Sequence, residues 1–222
     1  MISVKLNKEL DSTTYSDFRN FSIGGIDFGQ KIHEDHPLIS IKNYKRYIDE
    51  FYHEHADGMS RSLTEINFAL YEKEDDFKTF IKKYFGSLST NNNGVGYLSI
   101  FNCNPRFLKK KSFQIYYKKS LLLKLGVCFH ETLHFQFFDY CDKYLSKETC
   151  KLDKNSGKLW ELSEIFNVIL MNESCFKKIL DKEEKLFYPD LREKLTIAKD
   201  IWTTSNHDIK QFIKKYLSVS KD

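Results

Sequence analysis

Apolar positions recur along this chain with changing rhythm. From Ile2 to about Ile41 they alternate with polar residues in short segments, "ISVKL", "FSIGGIDF" and "LISIK", separated by Ser, Gly, Asp and Pro; that is the pattern of strands and turns. From Asn43 to Phe85 they fall at helical spacings: Tyr44, Tyr47, Ile48 and Phe51, then Leu63, Ile66 and Leu70, then Phe77, Phe80, Ile81 and Phe85. Asp57 and Gly58 are expected to break this run into at least two helices. The rhythm vanishes in "GSLSTNNNGVG", Gly86 to Gly96, which reads as a loop. Next come "YLSIFNCN" and "SFQIYYKK", rich in aromatic and β-branched residues, with Pro105 and a basic turn between them, so a β-hairpin is expected. After about Ser120 the helical period returns and stays: Leu121 to Tyr144, Gly157 to Leu180 after the polar loop "SKETCKLDKNSG", about Leu191 to Trp202, and Asp208 to Leu217. Mixed elements over about 1–120 and helices over about 121–222 predict an α+β fold, and 222 residues suit one domain.

Composition adds limits rather than a function. With 41% hydrophobic and 30% charged residues the chain should fold, and a formal charge of +4 gives too weak a field to call for nucleic acid or an anionic membrane. The lysine clusters at 109–111 and 118–119 flank aromatic residues and read as a solvated strand-and-turn edge. The opening "MISVKLNKELDSTTY" lacks the apolar core of a secretory signal, so no export is expected. The most apolar window, Leu121 to Phe138, is interrupted by Lys124, His130, Glu131 and His134, which argues against a membrane span. Five cysteines at irregular spacing, with no CxxC pair, fit reduced thiols and a cytoplasmic location better than a disulfide framework.

The chemistry concentrates in "LGVCFHETLHFQFFDY", Leu125 to Tyr140. On a helix, residues four apart stand roughly 5.4 Å from one another on one face, so His130 and His134 can both offer an imidazole nitrogen to one ion. Zinc takes nitrogen ligands in a near-tetrahedral arrangement, and a catalytic site keeps one position for water, which leaves room for one more protein ligand. Glu131 follows His130 by about 100° of rotation and can reach that water as a general base. The reaction class is hydrolysis. With 7 His and 15 Glu, chance alone gives this motif in roughly 0.015 of such chains. Context lowers it further: Leu125, Val127, Phe129, Leu133, Phe137 and Phe138 would bury the helix, and buried histidines with a glutamate need partners.

A third ligand is sought on another helix. "KLWELSEIFNVILMN" offers Glu161 and Glu164, three apart inside a segment apolar almost all round. Glu164 lies 30 residues after His134 and shares a face with Trp160, Val168 and Met171; Glu161 lies beside Ile165 and Val168.

HETLH followed by a downstream glutamate helix resembles the zincin metallopeptidases, specifically the HExxH…E group called gluzincins, over about Gly126 to Asn172. "SEIFN" is similar to the Asn-Glu start of the third-ligand helix in that group and favours Glu164. Aligned instead on "ILM", the segment resembles the short phage-repressor-cleaving metallopeptidases, which favours Glu161. Glu164 is the preferred ligand, with the other carboxylate left to orient a histidine. No HxxGxxH follows His134, so the metzincin pattern is absent, and the inverzincin motif is reversed relative to this one. More broadly the chain is similar to small bacterial proteins of peptidase-MA type.

The resemblance implies a zincin-like fold, Zn2+ as cofactor and a peptide or protein substrate. It implies an edge strand beside the metal, for which "SFQIYYKK" is the candidate, the alternative for that segment being an interior hairpin strand. It also implies a Tyr or His near the carboxyl end to stabilise the oxyanion, with Tyr188 in "LFYPDL" and His207 in "TSNHDI" as candidates. The alternative is a non-catalytic binding or regulatory protein on the same scaffold. Elsewhere, "HEDHP" reads as a solvated loop, and His53 and His55, two apart, point to different helix faces.

Overall fold

A polar helix face is what the alternation rule misreads at the amino terminus. The computed structural model describes residues 2–86 and 94–219. In it, β1 (Ser3–Leu6) is followed by α1 (Lys8–Phe18), whose inward positions are Asp11, Thr14 and Tyr15. These fall at i, i+3 and i+4, but two of them are polar, so the helical period carries no apolar signal. Asn7 starts the helix by accepting from the Leu10 amide at 3.2 Å. "FSIGGIDF" does form a hairpin, β2 (Ser22–Ile23) with β3 (Ile26–Asp27), turning through Gly24 and Gly25 at positive φ, as a two-residue loop demands. Asp27 then caps α2 (Phe28–Asp35), a second helix in the stretch expected to hold strands and turns.

"LISIK" is not a strand. The Asn43 side chain accepts from the Ser40 amide at 2.7 Å and donates to the Leu38 carbonyl at 2.9 Å, closing a turn that leaves Leu38 and Ile41 exposed. The helical run that follows divides into α3 (Tyr44–Glu54) and α4 (Ala56–Phe85). The break falls at His55, and Asp57 and Gly58 sit inside the first turn of α4, where an acidic residue meets the positive end of the helix dipole. The loop expected over 86–96 lies largely outside the described residues; Gly86 has a positive φ, and Val95 and Gly96 already belong to the next strand.

β4 (Val95–Ser99), β5 (Arg106–Phe107) and β6 (Ser112–Tyr116) join β1 in a four-stranded sheet ordered β1-β4-β6-β5. The expected hairpin of "YLSIFNCN" with "SFQIYYKK" is corrected here: β4 and β6 run parallel, with Leu98 opposite Ile115. Strands buried on both faces are typical of parallel pairing, and Gly96, Leu98 and Ser99 on β4 and Ser112 to Ile115 on β6 are all buried. The edge is also corrected. β6 lies inside the sheet, β5 pairs with it antiparallel through Arg106 opposite Phe113, and the Pro105 carbonyl and Asn104 side chain take the Gln114 and Tyr116 amides.

Helices follow: α5 (Leu121–Tyr144), a short α6 (Ser146–Thr149), α7 (Gly157–Met171), a short α8 (Ser174–Lys177), α9 (Arg192–Thr204) and α10 (Ile209–Val219). The fold is mixed α+β, dominated by helix. The segment expected as one helix over 157–180 breaks after Met171. No helix among the described residues is long and apolar enough to cross a membrane.

The chain divides into two compact units, Met1–Glu74 with Asn93–Glu131, and Asp75–Asn92 with Thr132–Asp222. The core of the first includes Ile48, Phe51, Ile66, Leu98, Phe101, Phe113 and Ile115 around the sheet. In it His36, from "HEDHP", is buried rather than solvated: Nε2 lies 2.9 Å from the Ile100 carbonyl and Nδ1 3.0 Å from the Tyr47 hydroxyl, while His33 stays exposed. The second unit is centred on Phe166, whose ring lies 5.4 Å from Phe137, 5.6 Å from Trp202 and 5.4 Å from Phe212.

Candidate metal centre

α5 is apolar over most of its surface, and that sets the environment of the motif it carries. Leu125, Phe129, Leu133, Phe137 and Phe138 are buried, and so are Glu131, Thr132 and His134; His130 and Val127 are partly covered. The helix is continuous from Leu121 to Tyr144, so His130 and His134 keep the spacing of one turn.

α7 brings the third group. Between Leu159 and Met171 every residue except Glu161 is buried, so a carboxylate at Glu164 sits where burial is expensive unless a partner meets it. Its Oε1 lies 3.3 Å from His134 Nε2. One ligand atom each from His130, His134 and Glu164 lie within 4.8 Å of one another, and among the described residues this is the one cluster of three or more such side chains able to hold an ion.

Two ligands of a tetrahedral zinc, each about 2.0–2.1 Å from the ion, stand roughly 3.3 Å apart, so three ligand atoms within 4.8 Å of one another are near the spacing an ion needs. The donor set also fits: two imidazoles and a carboxylate are the three protein ligands of one common class of catalytic zinc site.

Glu161, the alternative ligand, is outside this group. Its carboxylate takes Lys194 Nζ at 2.6 Å from α9, on the side of α7 that reaches solvent. Tyr188 precedes a 3-10 turn at 189–191, and its ring meets Trp160 edge-on at 4.9 Å. His207, at a left-handed φ of 59°, places Nδ1 3.3 Å from Glu173 Oε1, the oxygen that also accepts from Trp202 Nε1 at 2.8 Å. Neither oxyanion candidate belongs to the ligand cluster.

Arg106 is the residue that reading the sequence missed. From β5 its Nη1 lies 3.2 Å from Glu131 Oε2, and each of the two side chains is only 10% exposed. The pattern read around it was a basic turn, set by Lys109 to Lys111. Residue type alone did not single it out: the other four arginines, Arg19, Arg46, Arg61 and Arg192, are all exposed, and only the fold brings Arg106 against a buried carboxylate.

No protein-family model, curated protein or solved structure matches this chain.

Proposed function

We propose that this chain is a zinc-dependent hydrolase acting on peptide bonds, with His130, His134 and Glu164 holding the ion and Glu131 as general base. The observation that carries the reading is the convergence of a buried glutamate, 30 residues away in sequence, on the two histidines of HETLH. Such a convergence is unneeded by a helix whose polar residues merely fill a core. The apolar alternative, with no carboxylate to desolvate, is the easier way to pack α5 on α7.

A bound divalent ion supplies Lewis acidity, polarising a carbonyl and making water acidic. The residues do the rest. Glu131 stands one position after the first ligand, on the next face of the helix, where its carboxylate can take a proton from water and hand it to a departing amine. Arg106 holds Oε2 of that carboxylate and fixes its orientation. The Phe138 ring stacks on His134 at 6.1 Å and packs that ligand on its apolar side.

The test is elemental analysis by mass spectrometry of purified wild type and four variants. About one zinc per chain is expected, lost in His134→Ala and Glu164→Ala and kept in Glu161→Ala and Glu131→Gln. Cleavage of a mixed peptide digest should fall by about 10²–10⁴ in Glu131→Gln despite full metal content. A wild type that takes up no metal when zinc is added back overturns the reading.

A further inference from the structure

Arg106 sits on the edge strand of the sheet. In the order β1-β4-β6-β5, β5 has a strand on one side only, and an edge strand is where an extended peptide can add by main-chain hydrogen bonds. The position of Arg106 on that strand is tightly set. Its backbone pairs with Phe113, the Asn104 side chain accepts from the Tyr116 amide at 3.1 Å, and Asn104 and Lys111, on either side of the strand, both adopt left-handed φ of 47° and 44°. A charged fork is thus held beside Glu131, in a place with little solvent to screen it.

Charge counting points the same way. Two neutral imidazoles, the carboxylates of Glu164 and Glu131, the Arg106 guanidinium and a divalent ion leave one positive charge over. Without Arg106 the same set is neutral. A site with a residual positive charge and low exposure favours an anionic group in what it binds. Guanidinium and carboxylate match as planar partners, which a lysine at this position does not offer.

We propose that Arg106 determines specificity: it receives a carboxylate of a peptide laid along β5, so that the substrates are acidic peptides. This rests on the metallohydrolase reading above. The carboxylate can be the carboxyl terminus of the peptide or an Asp or Glu side chain, and the chemistry at Arg106 is the same for both.

The test uses a synthetic hexapeptide set with Asp or Asn at each position, each made as free acid and as amide. Cleavage by zinc-loaded wild type and calorimetric binding to zinc-loaded Glu131→Gln are both measured. Removing the carboxylate that Arg106 receives is expected to weaken binding about tenfold or more and to raise KM by a similar factor with little change in kcat. Loss on amidation assigns the carboxyl terminus; loss on Asp→Asn assigns the side chain. In Arg106→Gln the acid and its isostere should bind alike, with zinc content unchanged. If Arg106→Gln does not fold, Arg106→Lys should keep the preference in reduced form. Equal cleavage by wild type of free-acid and amide forms, and of every Asp peptide and its Asn counterpart, overturns this inference alone and makes the pair with Glu131 purely structural. Absence of any cleavage or binding by zinc-loaded protein overturns the hydrolase reading and this inference with it.

Discussion

Asp11 shows how much a single buried carboxylate can organise. It accepts from Ser99 Oγ at 2.5 Å, Gln114 Nε2 at 2.8 Å, Tyr52 Oη at 2.9 Å and the Ile100 amide at 3.1 Å, so one side chain of α1 is bound to α3, β4, β6 and the chain just after β4. Thr14 donates to the other end of the Gln114 amide and fixes which way it faces. These donors are all neutral, and burial still outweighs them: the carboxyl is pushed up from 3.8 to about 6. The native state therefore holds more protons than the unfolded chain between those values. This contribution to stability is full below about pH 4 and is lost as pH rises through 6. A shift of that size corresponds to about 3 kcal/mol. Urea unfolding at pH 4 and pH 7 should show the wild type losing about that much more stability over the interval than Asp11→Asn, which lacks the titration. Equal pH slopes in the two proteins would sink the argument. Asp11 was invisible in the sequence for the reason that hid α1: the inward face of that helix is polar, so hydrophobic rhythm cannot reveal it. His130, His134 and Glu131 were legible because they form a spaced pattern within one helix, whereas Arg106 answers only to the glutamate it meets in space.

At the scale of elements, periodicity found helices and could not find partners. α5 begins and ends at the residues its apolar rhythm predicts, Leu121 and Tyr144, because burial on several sides leaves a long uninterrupted run. β4 and β6 were equally plain as strands, yet their direction was misread. Alternating or continuous apolar residues say that a strand is buried and nothing about which neighbour it pairs with, and the short β5 took the antiparallel place beside β6. α7 combines both lessons in one helix. Glu161 and Glu164 look alike in sequence, and packing separates them: one is turned to Lys194 near solvent, the other to His134 inside. Stability should separate them from the helix's apolar core too. Glu161→Ala removes a partly exposed ion pair and should cost no more than about 1 kcal/mol. Phe166→Ala, at the centre of the aromatic cluster on the same helix, should cost about 3–5 kcal/mol. Denaturant unfolding of both variants checks the contrast, and similar losses from the two would show that Glu161 carries more of the fold than its exposure implies.

For the whole molecule, the two compact units make the choice of thermal probe matter. The division of the chain falls after Glu131, within α5. A ligand that binds only native protein stabilises by mass action, by about 2.7 kcal/mol at a hundred times its Kd. In a chain of this size each kcal/mol moves the midpoint by about 2–4 °C, so zinc at that excess should raise the transition by about 5–10 °C. Calorimetry is the right measurement, because a single midpoint is well defined only if the units unfold together. The shift should vanish in His134→Ala and Glu164→Ala, persist in Glu161→Ala, and reverse on adding a chelator. Unfolded chains also bind zinc through thiols and imidazoles, and this chain has five cysteines and seven histidines. Non-specific uptake of that kind favours the unfolded state and lowers the midpoint. An upward shift that disappears in His134→Ala and Glu164→Ala therefore distinguishes a built metal centre from histidines and cysteines that happen to bind zinc.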